Sequence, residues 1–179
     1  MPSASTPDLT NLPRFLDHLA ERDPQAADFA RLLLDDGAWR ISGFWGPEQM
    51  DVWELDLQRG EWFVQFRIER GIAEGVRVAR GSGARPPLDA FRAIGFATFA
   101  WARANAVPFR LDDPGDVQHD IVAHGRAALD WLADGHHPAF ERVADASLAT
   151  WLERRTETGE TLRTTQAKTV AAMEAAALE

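Results

Sequence analysis

The sequence predicts an α+β fold, a four-stranded antiparallel meander covered by N- and C-terminal helices. Three observations point there. Between residues 38 and 80 apolar residues recur with period two, and glycines cut the stretch into short runs. Before and after it, apolar residues recur at helical spacing. Strands gathered into one run beside gathered helices mark α+β, whereas strict alternation would mark a parallel sheet. Residues 1–174 are read as a single domain. The closing AAALE, 175–179, has the look of a cloning-vector junction before a purification tag and is set aside from function.

Each element follows in order. TNLPRFLDHLAERD offers a capping residue, an early proline, and Leu12, Phe15, Leu16 and Leu19 at helical spacing. Asp23 and Pro24 open a second helix with Phe29, Leu32 and Leu33 as its stripe, and Gly37 ends it. From Ala38 the period changes: Trp39, Ile41 and Trp45 alternate with Arg40, Ser42 and Phe44 until Gly46 and Pro47 break the run. VWELDLQRGEWFVQFRIERG, 52–71, reads as a hairpin. A turn at Arg59 and Gly60 pairs Leu57 with Trp62, Leu55 with Val64 and Trp53 with Phe66, all on one face. Arg59 suits the positive φ of that turn poorly, which leaves a bulged turn on Gly60 as the other solution. A second hairpin has Gly71 and Gly75 in its loop and returns through Val76 and Val78. GSGARPP is a loop. Residues 88–106 are apolar nearly all round, as in a buried helix. Asp113, Pro114 and Asp116 start the next helix, with Val117, Ile121, Leu129 and Leu132 as its stripe and Gly135 as its end. Pro138 opens another, carrying Phe140, Val143, Leu148, Trp151 and Leu152; TETGETLRTT is a polar joint, and an alanine-rich helix runs from about Thr164.

Composition narrows the function. The net charge of −9 argues against broad nucleic-acid or anionic-membrane binding and suits a basic partner. With no cysteine, disulfides, thiolate catalysis and cysteine-bound zinc are excluded. Arginine supplies nearly all the basic residues, as codon bias in a GC-rich bacterium would give. No apolar run reaches membrane-spanning length and the N-terminus lacks a signal-peptide pattern, so a cytoplasmic location is expected.

Candidate chemistry is sparse. Asp116, Asp120 and His124 stand four residues apart on one helix face with His119 beside them, a set that could hold a divalent metal in a metal-assisted hydrolase or serve a small-ligand-binding enzyme. The same spacing suits a solvated face of Asp–His neighbours, and no zincin signature is present. His136 and His137 sit near a helix end, where the dipole favours them. Glu54 and Asp56 lie side by side on a strand and do not face each other across a cleft, as glycosidase pairs do. With Phe63, Gln65 and Arg67 they make a mixed aromatic and charged patch suited to protein recognition. Seven tryptophans without a tyrosine fit either core or binding hot spots. Trp53, Trp62, Trp101, Trp131 and Trp151 are expected in the core, and Trp45, beside a Gly-Pro step, is expected to be partly exposed. Ser42, Ser82 and Ser147 sit in no nucleophile elbow, and GSGARPP lacks the lysine of a phosphate loop. No cofactor signature is found.

Two segments together resemble small bacterial domains akin to the immunity proteins of polymorphic toxin systems. VWELDLQRGEWFVQFRIERG resembles their central hairpin. PFRLDDPGDVQHDIVAHGRAALDWLADGHHPAFERVADASLATWLE is similar to their closing helix pair. The resemblance implies binding, with no catalytic residues to carry over. The expected role is a non-enzymatic inhibitor that covers a basic toxin, with Trp45, Glu48, Glu54, Asp56 and Phe63 as contacts and Arg67 at the rim. A secretion chaperone or scaffold whose helical tail docks a partner is a third reading.

Overall fold

A computed structural model of the chain describes residues 7–108, 121–156 and 162–179. The chain divides into two compact units, Met1–Arg92 and Ala93–Glu179. The first opens with α1 (Leu12–Arg22) and α2 (Pro24–Asp35). Asp23 caps α2, its side chain accepting a hydrogen bond from the Ala26 N–H at 3.0 Å.

The sheet follows as β1 (Arg40–Glu48), β2 (Val52–Arg59), β3 (Trp62–Glu69) and β4 (Ile72–Arg80), antiparallel in sequence order. A two-residue β5 (Arg92–Ala93) adds a fifth strand to the expected four. It falls within the 88–106 stretch read as wholly helical. Instead one turn of 3₁₀ helix (Leu88–Ala90) follows Pro86 and Pro87, Phe91 turns extended, and helix begins at Ile94.

The first hairpin is two residues out of the expected register. Arg59 pairs with Trp62, Leu57 with Val64, Leu55 with Phe66 and Trp53 with Ile68. A slip of two leaves every side chain on its face, so alternation cannot detect it and turn chemistry decides. Gly60, at φ 58°, takes the first central position, where a type II′ turn wants glycine. Arg59 stays in the strand, its guanidinium over the Trp39 ring at 4.9 Å. The second turn is Arg70–Gly71, with φ of 54° and 75°. Gly75 is not in that loop; it sits in β4 at the register shift between Phe66 and Ile68, a bulge. In β1, a shift between Ile41 and Gly43 inverts the expected alternation. Phe44 turns inward against Phe15 at 5.8 Å, while Trp45 moves to the other face, opposite Glu54. The strand also continues through Gly46 and Pro47, as an edge strand can because the ladder needs no N–H there.

One sheet face and the two helices form the core of this unit. Trp53, Leu55, Leu57, Val64, Phe66 and Ile68 are all buried, as are Phe15, Leu19, Phe29 and Leu33. Phe15 meets Trp53 at 6.0 Å and Phe29 meets Phe66 at 6.3 Å. Each such side chain contributes roughly 1.5–3 kcal/mol by leaving water.

The second unit is helical: α3 (Ile94–Ala104), α4 (Ile121–Trp131), α5 (His137–Thr156) and α6 (Leu162–Leu178). Its core holds Phe99, Ala100, Ala102, Val143 and Met173, with Trp101 and Trp131 packed on it partly buried. Gly135, at φ 101°, marks a kink in a π-helical turn (Leu132–His136) that leads directly into α5. The expected helix start at Asp113 and Pro114, with Val117, lies outside the described residues. Helix α6 starts inside the expected polar joint, and residues 175–178, read as vector-derived, continue it. Among the described residues no helix is long and apolar enough to cross a membrane.

Candidate functional site: a carboxylate pair holding an arginine

The second face of the sheet carries the polar residues, and it is not open. Glu54 is 1% exposed and Asp56 is fully buried, as is Gln65; Phe63 is buried too. Glu54, Asp56 and Phe63, expected as partner contacts on an open face, are thus buried in the isolated chain. The reason lies in the segment that follows β4. Arg85 reaches back, its Nε donating to Asp56 Oδ2 and its Nη2 to Glu54 Oε1. Phe91 from the same segment packs with Phe63 and Ala79.

Strand pairing builds the pair's surroundings. Glu54 stands between Trp45 on β1 and Arg67 on β3; Asp56 stands between Gly43 and Gln65. A methyl group at position 43 would meet Asp56 Oδ2 at 3.4 Å, ordinary van der Waals contact. Gln65 Nε2 donates to Asp56 Oδ1 at 3.1 Å. Arg67 pairs with Glu69 at 2.8 Å and Glu74 at 3.3 Å, and its Nε lies 3.7 Å from Glu54 Oε2. Two aromatic rings flank the Arg85 guanidinium, Trp45 at 5.5 Å and Phe91 at 5.9 Å.

Electrostatics follow from that geometry. Burial first, then the neighbouring Asp56 charge, pushes the Glu54 carboxyl up to about 7, against the pull of Arg85 and Arg67. Burial works to lower the Arg85 pKa, but the hydrogen bonds and charges of Asp56 and Glu54 outweigh it and raise it. Two buried carboxylates of like charge therefore depend on the cation between them.

The other expected site residues separate. Trp45 is 36% exposed, and Glu48 is exposed near the end of β1. Arg67 is 20% exposed. Of the metal set, Asp116, His119 and Asp120 lie outside the described residues, and the His124 ring lies 5.2 Å from Trp101. Sequence reasoning missed Arg85 and Phe91. Their signal was indirect: two acids side by side on a buried strand face need a cation, and GSGARPP carries one.

A second polar network ties α1 to the β1–β2 turn. His18 Nε2 lies 2.9 Å from Asp51 Oδ2, and the Trp53 indole N–H donates to Asp51 Oδ1 at 2.8 Å. Arg22 points Nη1 at His18 Nδ1 at 2.9 Å; arginine only donates, so the proton on Nε2 is the one shared with Asp51. These hydrogen bonds from His18 and Trp53 hold the Asp51 carboxyl below the ordinary range.

Comparison with protein-family models, with curated proteins and with solved structures returns no match. The likeness to immunity-type domains therefore rests on the two segments quoted above.

Proposed function

We propose that the protein is a non-enzymatic binding module for a basic protein partner, acting as an immunity-like inhibitor of a bacterial toxin. The observation that carries this reading is Trp45: a tryptophan on the sheet's outer strand, partly exposed, with acidic Glu48 on the same strand. Tryptophan at an accessible edge is a strong anchor, since it buries a large area with few rotors. The net charge of −9 steers a cationic surface toward it. Inhibition would be by occlusion, with Trp45 and Glu48 as contacts and Arg67 at the rim.

The test mixes the protein with a basic toxin encoded beside it. A complex by size exclusion at micromolar concentration, weakened at least tenfold by Trp45→Ala, is expected. A toxin that elutes alone at that concentration refutes the reading.

A further inference from the structure

We infer that Glu54, Asp56 and Trp45 form a recognition site for an arginine side chain presented by the partner, filled in the isolated protein by the chain's own Arg85. The inference rests on the proposed binding role and names the chemistry that role would use.

Host and guest differ in kind. The host carboxylates are 1% and 0% exposed on β2, which is paired on both sides. The guest sits on a glycine-containing loop: Ser82, Gly83, Ala84 and Arg85 are all exposed, and Gly83 has φ 100°. A rigid acceptor pair with a guest on an exposed loop is the arrangement of an internal stand-in ligand.

The shape selects guanidinium. Acidic residues two apart on one strand face have Cα atoms about 7 Å apart, and the Glu54 and Asp56 carboxyl groups lean together closely enough to interact. Arg85 bridges them with two different nitrogens of its fork, Nε to Asp56 and Nη2 to Glu54. A lysine ammonium is a compact point charge without the planar fork that gives each carboxylate its own nitrogen. The faces of Trp45 and Phe91 add the stacking that a planar cation accepts.

A second observation points the same way. Gln65 is fully buried and its Oε1 has no hydrogen-bond partner. Its orientation is fixed, because Nε2 donates to Asp56, which accepts. The site therefore keeps a buried acceptor on the residue that donates to Asp56, one that Arg85 leaves unmet. Exchange of one arginine for another conserves charge, so the two buried carboxylates are never left uncompensated.

The experiment uses the full chain with Arg85→Ala and Arg85→Lys, titrated calorimetrically with Ac-Gly-Arg-Gly-amide and its lysine counterpart. Both variants are expected to bind the arginine peptide at least tenfold more tightly than the unaltered protein, and the lysine peptide at least tenfold more weakly than the arginine one. Adding Glu54→Gln to Arg85→Ala should remove most of that affinity. If Arg85→Ala does not fold, the arginine peptide at millimolar concentration should restore a cooperative melt and the lysine peptide should not. Equal binding by variants and unaltered protein, equal binding of the two peptides, or an unfolded variant without rescue overturns the site. If the variants fail to bind the arginine peptide while the toxin complex forms, this inference alone falls. If they bind it and no toxin complex forms, the partner reading alone falls.

Discussion

At the scale of single residues, Glu54 sets how stability depends on pH. Its carboxyl titrates near 7 in the folded protein and at its ordinary 4.5 when unfolded. Between those values the folded state holds a proton that the unfolded state releases. The contribution is therefore fully present below about pH 4.5 and is lost as pH rises through 7. Glu54→Gln keeps an acceptor for Arg85 without the charge. The variant is expected to match the unaltered protein near pH 5 and to exceed it at pH 8 by about 1–3 kcal/mol, read from denaturant melts. Parallel pH profiles for the two proteins would show that Arg85 and Arg67 compensate Glu54 fully and that its carboxyl is not raised. Asp56 is as deeply buried, but Arg85 Nε and Gln65 Nε2 both donate to it, so the two acids of one strand face have different surroundings.

Among the elements, turns rather than strands carry the adjustable stability. Arg70 and Gly71 both take positive φ in the β3–β4 hairpin, as a type I′ turn requires. Glycine meets that without strain, whereas arginine does so at a cost; asparagine is the residue best suited to the first position. Arg70→Asn keeps the Arg70 N–H bond to the Met50 carbonyl, 3.1 Å long, and is expected to stabilise the protein by about 0.5–1 kcal/mol, a rise of a few degrees in melting temperature. No rise would mean the turn already bears no strain. Turns also explain what the sequence did and did not disclose. Period-two alternation in 52–69 identified both faces of the hairpin, because parity survives a two-residue slip. It could not choose the register, which Gly60 fixes. The bulge between Ile41 and Gly43 carries no signature of its own, so the places of Phe44 and Trp45 were exchanged. The carboxylate pair was legible as two acids on one face. Its closure was not, because Arg85 comes from a loop 29 residues beyond Asp56 and nothing local announces that return.

Across the whole molecule, the proposed binding role would divide association between charge and edge chemistry. Acidic residues exceed basic ones by 28 to 19, giving −9, while the charges facing the sheet's second side are largely paired among themselves. On the proposed reading, attraction of a basic partner would come from the overall field, and its retention from a few anchors such as Trp45. The two parts separate kinetically. Raising ionic strength from about 10 mM to about 150 mM shortens the screening length from about 30 Å to about 8 Å. Against a basic toxin, the association rate is expected to fall about 10- to 100-fold over that range, while dissociation changes less than about threefold. Trp45→Ala should act oppositely, leaving association near its starting value and raising dissociation at least about tenfold, because its area is engaged only after encounter. Surface plasmon resonance at the two salt concentrations reads both rates. An association rate indifferent to salt would detach the acidic charge from partner recognition, and a Trp45 variant that dissociates no faster would move the anchor elsewhere on the fold.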